Sequence, residues 1–323
     1  MSRTRSDSRA TKLPPRMVVS LAAAAASLLM LSGCAGGASA PSGSGGAAGG
    51  GHSTISIVTS TNVYGDIAAQ IGGAAVSVTS IITDPSKDPH EFTADAQNQL
   101  AVSKADIVVE NGGGYDDFFD AMVASARNPD VVVVNAATVS GKDQHPANGS
   151  FNEHLWYDIP TVSKVADELA VRLTALVPAD SAAISSNAAV FQHKLASLEA
   201  TEAQLKSTYS GTPVAITEPV PLYMLDAIGL VNVTPEKFSA AVEGGTDAAP
   251  DVVAETEALF TTGEVRLFVY NSQTVGPQTD AVRASAIAAG ASTVPVTETL
   301  PAGSTFTGWM ADTLAALSSA LAG

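Results

Sequence analysis

From residue 54 onward, solid apolar runs alternate with stretches of spaced apolar residues. Runs 55–59, 76–82, 106–110 and 131–136 are rich in Val and Ile with few polar interruptions. These read as strands, the run at 76–82 as a buried one. Between them, 63–71, 94–105 and 115–126 read as helices, and 161–176 as another. The second half starts the alternation again. Strands are predicted at 214–217, 231–233, 265–270 and 293–296, and helices at 222–228, 235–242, 252–260, 280–289 and 305–321. Strands separated by helices imply βαβ units and parallel sheets.

Pro178 breaks the pattern, and residues 182–207 then run on without Pro or Gly. Ile184, Ala188, Phe191, Leu195, Leu198 and Leu205 recur near helical spacing. At ~1.5 Å per residue this helix spans roughly 39 Å, the length of a small domain. The predicted fold class is α/β: two lobes, each a mostly parallel sheet flanked by helices, joined by one long rigid helix. The predicted boundaries are 54–180 for the N-terminal lobe, 181–208 for the connecting helix and 209–323 for the C-terminal lobe.

The N-terminus changes the picture. Arg3, Arg5, Arg9, Lys12 and Arg16 precede an apolar stretch from 17 to 31. That stretch is short for a membrane span and has the size of a signal h-region. Leu31-Ser32-Gly33-Cys34 looks like a lipobox, so residues 1–33 read as a lipoprotein signal peptide and Cys34 as the lipidated residue. Cys34 is the only cysteine, which excludes a disulfide within the chain. Residues 34–53, almost all Gly, Ala and Ser, read as a flexible tether. The predicted location is extracytoplasmic, anchored to the cell membrane.

The chain carries a formal net charge of −16, and the part beyond the basic leader is more acidic still. That excludes nucleic acid as a natural partner.

The candidate chemistry gathers at strand ends. His90 lies in Asp84-Pro85-Ser86-Lys87-Asp88-Pro89-His90-Glu91-Phe92, after the strand at 76–82. Pro85 and Pro89 stiffen that loop. His154 follows the strand at 131–136 and a polar loop. Glu218 and Glu298 follow the strands at 214–217 and 293–296. In open α/β sheets, ligands bind beyond the carboxyl ends of strands. Two imidazoles and two carboxylates suit one divalent transition ion, Zn²⁺, Mn²⁺ or Fe²⁺. Taken singly, each also reads blandly: a loop histidine, a helix cap, a solvated strand end. His145 and His193 read as solvent-exposed. Gly112-Gly113-Gly114 lacks the Lys-Ser/Thr of a phosphate loop and reads as a strand-to-helix turn.

Residues 56–323 resemble the cluster A-I (cluster 9) metal-binding receptors of ABC importers for zinc and manganese. The resemblance lies in Asp88-Pro89-His90-Glu91-Phe92, in Ala105-Asp106-Ile107-Val108-Val109-Glu110-Asn111-Gly112, in His154-Leu155-Trp156-Tyr157-Asp158 and in the long helix. It implies an extracytoplasmic, lipid-anchored, monomeric receptor that captures Mn²⁺ or Zn²⁺ between its lobes and delivers it to a permease. It assigns His90 and His154 as the first two ligands and Glu218 as the third. The family's fourth ligand is usually Asp; here Glu298 stands at that place, with Asp280 or water as the substitute. Glu at the third position and the lack of a His-rich loop lean towards Mn²⁺. The Irving–Williams order favours Zn²⁺ at any such site. Two other readings stand beside this one. One is a zinc-dependent hydrolase using Glu91 as base; the other is a lipid-anchored adhesin with a structural metal.

Overall fold

In the computed structural model, described for residues 54–84, 87, 89, 90 and 92–323, the N-terminal half opens with β1 (Ile55–Thr61). It continues through α1 (Asn62–Gly72), β2 (Val76–Ile82), α2 (Ala96–Ser103), β3 (Ile107–Glu110), α3 (Asp117–Ser125), β4 (Val132–Asn135), α4 (Ala136–Ser140) and α5 (Ile159–Leu176). Helix α6 (Ser181–Tyr209) links the halves. Then come β5 (Pro213–Ile216), α7 (Leu222–Ala227), β6 (Val231–Asn232), α8 (Glu236–Glu243), α9 (Pro250–Thr261), β7 (Leu267–Asn271), α10 (Pro277–Ala288), β8 (Ser292–Val296) and α11 (Phe306–Ala322). The predicted signal segment, the tether with Cys34, and Glu91 lie outside the described residues.

All strand pairs are parallel, in the orders β2-β1-β3-β4 and β6-β5-β7-β8. The halves therefore share one strand order although their sequences show no repeat. In each sheet the order reverses beside the first strand, between β1 and β3 and between β5 and β7, where a crevice opens at the carboxyl edge. Pro295 sits inside β8, opposite Tyr270. It is tolerated because β8 is an edge strand and needs only one ladder.

Local chemistry moves several predicted boundaries. Helix α2 begins at Ala96 because Asp95 Oδ1 accepts from the backbone N–H groups of Gln97 (2.8 Å) and Asn98 (2.9 Å). Asn98 Oδ1 in turn accepts from Asp95 N (2.9 Å), closing a capping box. Pro160 in its first turn lets α5 start at Ile159. Helix α4 was not expected. Asn135 caps it through Thr138 N (2.9 Å) and left-handed Gly141 ends it, so a single turn survives in what reads as loop.

The main core runs through both lobes without a break. It includes Ile67 and Ile71 of α1, Leu169 of α5, Phe191 and Leu195 of α6, Ile216 of β5 and Leu314 of α11. Smaller clusters cover the outer face of each sheet. Polar ties reinforce the join. Asn62 Nδ2 donates to Leu300 O (2.8 Å) while Leu300 N donates to Asn62 Oδ1 (2.9 Å). Asp66 Oδ2 accepts from Phe306 N at the start of α11 (2.7 Å).

One residue of α6 opposes this order. Glu202 is 5% exposed, and its Oε1 has no hydrogen-bond partner among the described residues. Burial, with Glu199 and Asp158 adding repulsion, raises its pKa to about 7. A carboxyl with a raised folded-state pKa destabilises progressively as pH rises through the interval between the unfolded and folded values. Glu202→Gln should therefore raise the melting temperature at pH 8 by a few degrees, for roughly 1–3 kcal/mol recovered. It should change little at pH 5. Thermal melts of the two proteins at both pH values check this.

Candidate metal centre

The carboxyl edges of the two sheets face one crevice, and the sequence-predicted residues arrive there from separate elements. His90 follows β2, His154 precedes a 3₁₀ turn (Leu155–Tyr157), Glu218 follows β5 and Glu298 follows β8. His154, Glu218 and Glu298 are buried, whereas His90 is exposed. Among the described residues, His90, His154 and Glu298 close into one group whose donor atoms all lie within 4.8 Å of one another. Glu218 lies outside that group, although its charge acts on the same cleft. Two donors on one tetrahedral ion stand ~3.3 Å apart for bonds of ~2.05 Å. Small side-chain movements would therefore bring the group onto an ion.

The loop around His154 is held from both lobes. His154 Nδ1 lies 2.8 Å from Asn152 Oδ1, and the backbone N–H of His154 donates to the same oxygen (3.2 Å). Asn152 Nδ2 donates to Pro219 O (3.2 Å), which assigns Oδ1 as the acceptor facing the ring. Nδ1 therefore carries the proton and Nε2 keeps its lone pair. Nε2 is buried and has no hydrogen-bond partner among the described residues. Tyr223 Oη donates to Asn152 O (2.8 Å), and Asn111 Nδ2 donates to Glu153 O (2.9 Å). Asn152 was not singled out from sequence; its position two residues before His154 is the only local signal.

Aromatic rings wall the centre. Tyr115 meets the His90 ring edge-on at 5.2 Å and the Trp156 ring at 4.7 Å, and Trp156 meets His154 at 5.2 Å. Burial first, and His90 second, lower the His154 pKa to about 3. The imidazole is thus neutral and ready to ligate. Glu298 is oriented in turn: its Oε1 accepts from Asn271 Nδ2 (2.7 Å) at the end of β7, and its backbone N–H donates to Gln273 Oε1 (2.5 Å).

Two carboxylates in the cleft were missed. Glu243, the last residue of α8, places Oε1 at 3.7 Å from His90 Nε2 and 3.7 Å from His154 Nε2. Burial, then Glu153, Glu218 and Glu298, raise its pKa well above the carboxylate range. The sequence did carry a signal for it. An acid at a helix C-terminus opposes the helix dipole, and such local conflict marks functional positions. Glu153, beside His154, is half-buried and groups with His90 and Glu243.

Other candidates fall away from the centre. His145, His193 and Asp280 are exposed and belong to no group of potential ligands among the described residues. Gly112, Gly113 and Gly114 all have positive φ and make a concave turn, but the Asp116 carboxylate fills it. It accepts from Asn111 N (2.7 Å) and Gly112 N (2.8 Å). Two backbone N–H groups that a phosphate could have used are thus already taken.

The His154 pKa has a consequence for stability. Its folded value lies below the ordinary ~6.5. The unfolded chain therefore binds a proton that the folded chain refuses, and stability is lost as pH falls from about 6.5 towards about 3. Substituting His154→Asn should flatten part of the melting-temperature decline of metal-free protein between pH 6.5 and 4, while His145→Asn should leave the decline as it is.

The family model described as "ZnuA: Zinc-uptake complex component A periplasmic" matches residues 57–320. Among curated relatives, the manganese-binding lipoprotein MntA of Halalkalibacterium halodurans is 29% identical over 145 residues, covering 45% of this chain and 47% of that one. The manganese ABC transporter substrate-binding lipoprotein ScaA of Streptococcus gordonii is 23% identical over 236 residues, 68% of this chain and 73% of that one. The chain spans about half the length of the first curated relatives it matches. Among solved structures, the periplasmic zinc binding protein TroA of Treponema pallidum superposes with a TM-score of 0.69 at 18% identity, covering 83% of this chain and 99% of that one, which shows a shared fold. The match over nearly all of the described residues shows that this chain belongs to the family of zinc-uptake component A, a family of substrate-binding proteins of metal transport.

Proposed function

We propose that this protein is the extracytoplasmic receptor of an ABC importer, anchored by lipid on Cys34 and monomeric. It captures one Mn²⁺ or Zn²⁺ ion as cargo between its lobes and hands it to the membrane permease. His90, His154, Glu218 and Glu298 are the proposed ligands. The observation that carries this reading is His154: a wholly buried neutral imidazole, its Nδ1 tied to Asn152, its Nε2 turned towards a histidine and carboxylates from both lobes. A lone pair buried without a partner is costly unless something occupies it. Family membership supports the receptor over the hydrolase and the adhesin, and relatives named for manganese and for iron support a divalent transition ion as cargo.

The chemistry is binding without catalysis. Two neutral imidazoles and two carboxylates cancel the charge of a divalent ion, so the ion can lose its water in a buried cleft. Tyr115 and Trp156 exclude solvent beside it. Because the core and the Asn62–Leu300 pair join the lobes, release requires local movement of ligand-bearing segments rather than wide hinging.

Two measurements test the reading. Glu298→Gln should weaken Mn²⁺ and Zn²⁺ binding at least tenfold, the effect of about 1.4 kcal/mol, whereas exposed Glu264→Gln should not. Isothermal titration on metal-stripped protein makes the comparison, and equal affinities would remove Glu298 from the site. Cys34→Ala should shift the protein, once its signal segment is cleaved, from the membrane to the soluble fraction without altering its melting temperature or its metal affinity; membrane retention of the signal-cleaved variant would refute the lipid anchor.

A further inference from the structure

The four proposed ligands leave two carboxylates of the cleft unassigned. Glu153, His90 and Glu243 form a second group, again with donor atoms within 4.8 Å of one another. His90 belongs to both groups, and the groups differ in depth. In the first, His154 and Glu298 are buried; in the second, Glu153 and Glu243 are half-buried. Glu153 and Glu243 also line a cavity of about 460 Å³, together with Asn152, Pro219, Thr234 and the exposed Glu236. Half-buried carboxylates therefore flank the exposed His90, and the buried His154 and Glu298 are the deeper donors that share it.

His154 Nε2, fully buried and without a hydrogen-bond partner among the described residues, lies 3.7 Å from Glu243 Oε1. The same oxygen lies 3.7 Å from His90 Nε2. These separations approach the ~3.3 Å between two donors on one ion. Glu243 thus reaches both the shallow histidine and the deep one.

Resting on the metal-receptor reading, we propose that His90, Glu153 and Glu243 form a second, outer position for a divalent transition-metal ion, through which the cargo passes to and from the deeper ligands. An ion that entered the buried centre in one step would shed its water before gaining ligands, which is costly. At the outer position two carboxylates balance its charge while the cavity leaves room for part of its hydration. His90 then stays bound as Glu153 and Glu243 give way to His154 and Glu298. Sharing His90 also means that the two positions hold one ion between them.

A waystation lowers the barrier in both directions and so leaves equilibrium affinity nearly unchanged. Stopped-flow uptake of Mn²⁺ and Zn²⁺, and loss of each to a chelator, would be measured on the full chain, on Glu153→Gln/Glu243→Gln and on Glu298→Gln. The double variant should take up and release metal at least about tenfold more slowly, with an affinity loss clearly smaller than that of Glu298→Gln, since losing charge-assisted contacts at the barrier has at least that effect on both rates. An unchanged release rate overturns the proposal, because simple electrostatic steering alters uptake alone. An affinity loss as large as that of Glu298→Gln also overturns it, by making the pair deep ligands. Should Glu298→Gln itself bind like the parent, the deep site fails instead, independently of the double variant's rates. If the double variant does not fold by circular dichroism, Glu243→Gln alone is put to the same criteria.

Discussion

The cleft depends on a core that is not divided between the lobes. Helix α6 contributes Phe191 and Leu195 to one cluster that holds Ile67, Ile71 and Leu169 of the N-terminal half and Ile216 and Leu314 of the other. Each fully buried Leu or Phe contributes ~1.5–3 kcal/mol, and the whole cluster must be exposed before the lobes can part. Two parallel sheets are thereby held with their carboxyl edges facing. Without that constraint, His90, His154 and Glu298 would sit on independent loops and their spacing would vary with every motion of the lobes.

Polar bonds across the cleft carry the constraint down to single atoms. Asn62 clasps Leu300, Tyr157 Oη donates to Thr297 O (2.9 Å) just before Glu298, and Asn152 joins Pro219 on the opposite lobe. Asn152 is the most economical of these. One amide orients the His154 ring, fixes its tautomer and bridges the lobes. Burial, with His90 beside it, keeps that imidazole neutral without a metal to hold it so.

Charge sets the opposing tendency. Glu153, Glu218 and Glu298 act on Glu243, and burial with that repulsion pushes Glu243 towards its protonated form. A cleft arranged in this way is under electrostatic tension that a divalent cation would relieve. The rigid core is what keeps the carboxylates together against that repulsion. Glu202 on α6 shows the same trade in miniature: a buried acid kept in place by the packing around it.

The sequence by itself determined the order of elements, the two parallel sheets and the long connecting helix. Apolar runs and helical spacing are local consequences of burial, and glycine and proline punctuate them locally. It also pointed to His90, His154, Glu218 and Glu298, because each follows a strand and strand ends line the crevice of such sheets. The single-turn helix α4 escaped notice, since five residues carry too little periodicity and only the Asn135 cap marks it. Which donors lie together was decided by tertiary structure alone. His90, His154 and Glu298 close into one group with Glu218 outside it, and Glu243 stands within reach of both imidazoles from the end of a helix to which the pattern gives no role in the site. Those distances arise from how two sheets meet across a shared core, a relation between residues far apart in sequence that no local pattern encodes.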